Sequence, residues 1–463
     1  MSESQEQNLS ISRNVKIGLF HLGSGMADVV TTGIWNRIMI SDLGFSATPI
    51  GLLVSLRYFL APLGVWAGRV SDQRTVGGYR RMFWIWLGRA MMVVSILALG
   101  ITTAHIARGN EATLAIWTVI SVAMLLFSLG NALSGSTFLA LVYDRAPEKQ
   151  RGRAVGIVWT FLLLGFTIGG MLFGILLPAH KEGAQGLSFT PDTLQNLFVI
   201  GALVMGSLWL FSLLGEERRI TGTIDKQTAP QEKSPSVWAD LKLALSNRQT
   251  RWFFWYLSLS MMFAFAQDLI LEPFGGQVFG MDASHTTRFA AYWGSMSIIG
   301  SLACIWLSRR YPRLTNTVMS YIGVGVLLLT FVIFSISALA SVRPLVTIGL
   351  ITLGIGLGIW NIGTLGMMME MSPAARAGTF LGLWTLVVTV ARGIGVSSGG
   401  ILRDIILSVT GNLNLAYGIP FVLFTVGMLV ALWSLRNVNV KAFQAEQGIT
   451  QSDTATVLAG AMD

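Results

Sequence analysis

Residues 82–104 read MFWIWLGRAMMVVSILALGITTA, an apolar run interrupted only by the charge of Arg89. A helix needs about 20 such residues to cross the hydrocarbon core of a bilayer. Equivalent runs lie at 16–40, 47–69, 113–143, 153–178, 194–215, 251–272, 287–308, 314–338, 345–369, 378–402 and 414–436. These runs are continuous, whereas barrel strands alternate over about ten residues. Lipid admits only helices and closed barrels, because every backbone polar group must be satisfied internally. Composition agrees: the 463 residues are 53% hydrophobic and 12% charged, against about 25% charged in a soluble domain. The expected fold is all-α, a polytopic membrane protein of twelve transmembrane helices.

Lysine and arginine set the expected orientation. With the N-terminus inside, 23 of them fall on inner loops and tails and 3 on outer loops (Arg108, Lys181 and Arg343). That bias predicts both termini on the cytoplasmic side of a cell inner membrane. It also accounts for most of the net charge of +9. Nucleic acid is not an expected partner, because the bases are scattered over short loops instead of gathered in a stripe. The expected organisation is a cytoplasmic tail at 1–15, six helices at 16–215, a cytoplasmic loop at 216–250, six helices at 251–436 and a polar, mobile tail at 437–463. The single cysteine, Cys304, rules out an internal disulfide and makes a thiolate metal cluster implausible. Residues 1–14 are polar and show no signal-peptide core, so the first span is expected to direct insertion.

The two halves read as related. At an offset of 226 residues Asp144 matches Glu370, Pro147 matches Pro373 and Gly152 matches Gly378, and further glycines match at 130/356, 156/382, 169/395 and 174/400. This pattern supports a parallel duplication into two pseudo-symmetric six-helix bundles, the plan of the major facilitator superfamily. The loop after span two, Gly68-Arg69-Val70-Ser71-Asp72 followed by Arg80-Arg81, resembles that superfamily's inner-loop motif. Asp72 is expected to pair with a base from the other half and latch one conformation. The equivalent loop, Ser308-Arg309-Arg310-Tyr311-Pro312, has no acid, so any latch is one-sided. The alternative is a solvated loop that only sets topology.

Four segments resemble the PucC/LhaA family, a major-facilitator branch of phototrophic bacteria. They are Gly18–Gly23 running on to Trp35–Ile40, Ala61–Trp66 with the Ser71-Asp72 loop, Phe265–Met281 (FAQDLILEPFGGQVFGM), and Gly399–Asp404. The third is the most distinctive. The resemblance implies a role in building light-harvesting antenna complexes, with bacteriochlorophyll or chlorophyll as bound cargo. Antenna polypeptides and pigment-biosynthesis enzymes are the implied partners beside the lipid bilayer.

Span one carries the clearest polar pattern. His21, Gly25, Asp28, Thr32 and Asn36 are spaced to share one helical face, and a polar face belongs inside the bundle because charge facing lipid costs several kcal/mol. Asp28 lies near mid-depth, as do Arg57 and Arg392, so one of these arginines is its expected partner. The cluster reads as a polar central site, or as a structural pair that fixes register. His21 is a candidate axial ligand for the magnesium of a chlorin, or a histidine hydrogen-bonded near the inner interface. His105, His180 and His285 are expected in solvated outer loops. In span seven Gln267, Asp268 and Glu272 precede Pro273 and Gly275-Gly276, which are expected to break the helix. Asp268 and Glu272, four apart, would share a face that grips a partner or hinges a gate, or simply ends a helix. The glycines at 354, 356, 358, 393, 395, 399 and 400 suit close helix packing or a flat groove for a macrocycle. Trp159, Trp293, Trp360 and Trp384 suit core packing or stacking on pigment.

The chain has no phosphate-loop sequence, no HExxH and no nucleophile constellation. No nucleotide, no protein-bound metal and no enzymatic activity are expected. The leading reading is an antenna assembly factor that binds or delivers pigment. A proton-coupled secondary transporter is the second, and a membrane enzyme acting on pigment is a third.

Overall fold

The computed structural model describes residues 9–147, 150–177, 189–217, 245–372 and 377–446, and its regular elements are helical apart from one isolated β-bridge, Val76 to Tyr79. In the first half they are α1 (Ile11–Asp28, continuing as π-helix through Val29–Trp35 and Ile38–Asp42), α2 (Ala47–Phe59), α3 (Ala61–Gln73), α4 (Met82–Ala107), α5 (Leu114–Arg145), α6 (Arg151–Leu176) and α7 (Pro191–Leu213). In the second half they are α8 (Arg248–Phe265, ending in a 3₁₀ turn Ala266–Leu269), α9 (Leu271–Phe279), α10 (Ala283–Thr287), α11 (Phe289–Arg310), α12 (Asn316–Leu339), α13 (Pro344–Glu370), α14 (Ala377–Thr410), α15 (Leu413–Arg436) and α16 (Val440–Glu446). Polar caps start many of them. The side chains of Ser10, Thr113, Thr190, Asn247, Thr315 and Asn412 accept from the free N–H groups of the first turn, as helix starts require.

Among the described residues ten helical segments are long and apolar enough to cross a membrane. There are eleven if α8 and α9, bent by 44°, form one span. The chain is a multi-span membrane protein. The expected first span, 16–40, is not among the ten. Arg13, Lys16 and Asp28 lower the hydropathy of α1, and its α-helical part stops where the π-helix begins. Polar side chains soften that change of winding: the Thr31 and Thr32 hydroxyls donate to the carbonyls of Ala27 (3.0 Å) and Asp28 (2.6 Å). π-Helical turns of this kind are rare and concentrate at functional sites.

The break in span seven also differs from expectation. It falls at Ala266–Ile270, before Pro273, and α9 continues through Gly275-Gly276 to Gly280 at φ 60°. Proline is tolerated in the first turn of a helix, where its missing N–H has no partner to lose. Pro273 therefore sits in the first turn of a new helix instead of ending the old one. Part of the 437–463 tail is helical too, as α16; 447–463 lie outside the described residues, as do His180, Pro373 and most of the 216–250 loop.

Within the first half α1 packs on α6 and α7, and α4 on α5 and α7. Within the second, α12 packs on α13 and α15, and α8 on α14 and α15. The halves meet along α2 against α14 and α6 against α11. Outer and inner below follow the orientation expected from the charge bias. Near the outer face the halves are bonded repeatedly. Asn36 donates to the Leu269 carbonyl (2.8 Å), Arg37 to the Met281 carbonyl (2.8 Å) and Gln277 to the Ile40 carbonyl (2.9 Å). Asp404 accepts from the backbone N–H groups of Ala47 (3.1 Å) and Thr48 (2.7 Å), so a residue of α14 caps α2. Toward the inner face no hydrogen bond joins the halves among the described residues.

Among the described residues the inner loop motif pairs only within its own half. Asp72 accepts from Arg80 (3.0 Å) and Arg81 (2.5 Å), and Arg81 reaches Asp144 (3.1 Å). The backbone N–H groups of Arg80 and Met82 donate to Glu217 (2.8 and 2.7 Å), and the Gly68 carbonyl accepts from Ser71 (2.7 Å). Among the described residues the expected bond from Asp72 to the other half is not formed in this conformation, and Arg80 and Arg81 share its Oδ1. Asp144 and its repeat mate Glu370 play matching parts. Each accepts from the start of a neighbouring helix, Arg81 before α4 and Asn316 in α12 (2.8 Å).

Candidate functional site

The bend between α8 and α9 brings a polar cluster to the middle of the molecule, where α1, α2, α6, α11 and α14 converge. Asp28 pairs with Arg57, as one of the two expected arrangements has it. The second arginine, Arg392, pairs with Asp268 (2.9 Å) and lies over the Phe265 ring, 3.9 Å from its centroid. Two ion pairs, each linking neighbouring helices of one half, thus face each other across the junction of the halves. Gln267 donates to Asp268 (2.7 Å). Thr32, Tyr58, Phe166, Gln267, Glu272 and Trp293 complete the wall.

Glu272 is buried, 5% exposed, and its Oε2 has no hydrogen-bond partner; the Oε1 of Gln267 is orphaned in the same way. Asp268 and Glu272 do not share a helical face as their spacing suggested. The 3₁₀ turn puts them on different elements, and they meet only because both line the cavity. The space between these side chains is about 30 Å³, room for one or two waters and far below a chlorin macrocycle.

The polar stripe of span one is divided among several surroundings. Gly25 is pressed against the Leu162 carbonyl and Gly165 of α6, Asp28 and Thr32 face the cavity, and Asn36 belongs to the outer closure. His21 stands apart from the cluster, stacked on Phe138 (centroids 4.9 Å) and edge-on to Trp159 (5.8 Å). Its Nδ1 is buried without a partner, while Trp159 is 49% exposed. His105 lies at the end of α4, where its carbonyl accepts from Asn110 (2.9 Å), and His285 is exposed beside Asp282.

Trp360 and Trp384 are core residues, Trp293 lines the cavity, and the glycines at 354, 356, 358, 393, 395, 399 and 400 are packing positions. A Cβ at Gly354, Gly358, Gly395 or Gly399 would strike the backbone carbonyl of Trp293, Ser297, Met262 or Ala266 respectively. Two features escape sequence reading. Asp404 as the cap of α2 needs the halves docked before it means anything. Arg89 is a buried guanidinium held between Phe20 (4.1 Å) and Trp209 (4.7 Å), and its position in an apolar run was the only hint.

A sequence profile of the family described as PUCC protein matches residues 34–443. Protein PucC of Rhodovulum sulfidophilum is 27% identical over 410 residues, 87% of each chain. The protein named bacteriochlorophyll synthase 44.5 kDa chain of Rhodobacter capsulatus is 27% identical over 430 residues, 90% of this chain and 94% of that one. Among solved structures, a bacterial homolog of the human lysosomal transporter Spinster superposes with a TM-score of 0.68 at 16% identity, covering 94% of this chain and 97% of that one. That likeness shows that the two chains share a fold.

Proposed function

This chain belongs to the PUCC protein family, and from that premise we propose that it acts in photosynthesis as an assembly factor for light-harvesting antenna, binding or delivering bacteriochlorophyll within the membrane. The observation that carries this reading is the family match over 34–443, supported by a relative whose name refers to bacteriochlorophyll. The central cavity is too small for the pigment as it stands. His21 is therefore the better candidate contact, with Phe138 and Trp159 as the stacking wall. Bacteriochlorophyll is cargo here, antenna polypeptides and pigment-biosynthesis enzymes are the partners, and the protein carries out no chemistry on the pigment.

The Ile11–Asp42 helix serves as a span despite its charges, and α8 with α9 as another, giving twelve in two six-helix bundles. The pairing of α2 with α14 and of α6 with α11 supports this, since each joins the second span of one half to the fifth span of the other. Both termini face the cytoplasm and the protein resides in the inner or intracytoplasmic photosynthetic membrane.

Purification in mild detergent from a phototrophic host making antenna tests the function. Pigment absorption together with co-purifying antenna polypeptides is the expected result. Pigment-free protein, combined with normal antenna after deletion, would leave a proton-coupled transporter of a small or amphipathic solute as the better reading. The charged cluster between the halves of a transporter-type fold favours that second reading.

A further inference from the structure

Glu272 is the odd acid of the molecule's centre. From α1, Asp28 is paired with Arg57 of α2, and Arg37 with Asp42 (2.7 Å). From the turn after α8, Asp268 is paired with Arg392 of α14 (2.9 Å). Three carboxylates therefore have three guanidinium groups, and Glu272 has none. The other neighbours supply no cation. Tyr58 of α2, Phe166 of α6 and Trp293 of α11 complete the wall. Tyr417 of α15 donates to Gln277 (2.6 Å). Arg403 of α14 is bonded to Asp404 (2.7 Å) and Gln277 (2.5 Å). Asp282 and His285 of α10 face each other at the surface (3.6 Å).

An ionised carboxylate buried without a partner is too costly to persist, and such groups take up a proton instead. The hydrogen-bond pattern agrees. Glu272 Oε2 and Gln267 Oε1 are both buried acceptors with no donor, and one of the two Gln267 amide hydrogens is given to Asp268. One proton on Glu272 turns one of the two orphan acceptors that line the 30 Å³ space into a donor, and a water there can join them.

We propose that Glu272 is a proton-binding site whose neutral form holds the outer face closed. The proton enters from water on the inner side. The path runs past Asp28 and Arg392, whose side chains are 31% and 30% exposed, whereas the outer side is sealed. It converts the carboxylate to the acid, and nothing else changes covalently. Glu272 sits in the segment that builds the seal: Leu269, Gln277 and Met281 all bond across to α1. Its carboxyl also faces the π-helical turn of α1, where Oε1 would lie 3.8 Å from a Cβ at Gly33. Ionised, Glu272 needs more solvation than the one or two waters of this space supply, so loss of the proton favours parting of α9 from α1. Pigment plays no part in this step.

The test uses the full chain in lipid nanodiscs, with Cys304→Ser and spin labels at Ser46 and Val409, both exposed near the outer ends of α2 and α14. In the wild type a short distance at low pH should give way to a growing longer-distance population as pH rises. Glu272→Gln, a permanent mimic of the neutral acid, should keep the short distance at every pH. Glu272→Asp should respond with a displaced midpoint. Infrared difference spectra should show a protonated-carboxyl band that titrates with the distance change and is missing in Glu272→Gln. A wild-type distance that ignores pH, or a Glu272→Gln response equal to the wild type, overturns the proposal. If Glu272→Gln does not fold, an unchanged midpoint in Glu272→Asp overturns it equally.

Discussion

At the scale of single residues, the charges inside the membrane region divide into pairs and exceptions. Asp28 has Arg57, and Asp268 has Arg392. Removing one member of such a pair strands the other in a poorly solvated site, at a cost of about 3–5 kcal/mol. Asp28→Leu should therefore lower the thermal stability of the purified protein more than the double change Asp28→Leu with Arg57→Leu. Coupling Asp28→Leu to Arg392→Leu should give no such recovery, because that change strands Asp268 as well. Equal loss from the single and both double variants would remove the pairing. His21 is a different case, since its ring touches aromatic groups and no acid. His21→Phe keeps those ring contacts and loses only the nitrogen donors. Protein isolated from a pigment-making host should then carry less bacteriochlorophyll, or show a shifted absorption band, at unchanged thermal stability. Unaltered content and spectrum would exclude His21 as the ligand.

At the scale of helices, small residues decide how closely elements approach. Gly25 of α1 and Gly165 of α6 lie against each other's backbone, and a Cβ on either would meet the Leu162 or Leu22 carbonyl. Neither helix can yield without moving the cluster that α1 carries. Gly25→Ala and Gly165→Ala should each lose about 1–3 kcal/mol, the usual cost of overpacking, read as a lower unfolding temperature. Gly156 of α6 makes the control, because a Cβ there meets nothing within 4 Å. Gly156→Ala should be neutral or add up to about 1 kcal/mol through helix propensity. The sequence reading named the glycines of α13 and α14 as packing positions or as a groove. Sequence alone could not choose, since a glycine facing a neighbour's carbonyl and one facing open space are spelled alike.

At the scale of the whole molecule, the halves are bonded across the outer face and free of such bonds on the inner side among the described residues. Which face is which rests on the charge bias, and it has a direct test. A cysteine at Gly222 should be shielded from an impermeant reagent applied outside intact cells, and one at Gly183 should react; the reverse pattern would invert the orientation. The sequence by itself determined the helical membrane class, the positions of most spans to within a few residues, the family and the identity of the intramembrane charges. These follow from properties that add up along the chain: run length, loop charge and local motif. The tertiary structure decided which arginine serves which acid, where span seven bends, that Asp72 pairs with Arg80 and Arg81 of its own half and that Asp404 caps α2 from the other half of the chain. Each of those is a contact between distant parts of the chain, fixed by how the helices pack. Spacing along one helix carries no information about which neighbour will be there.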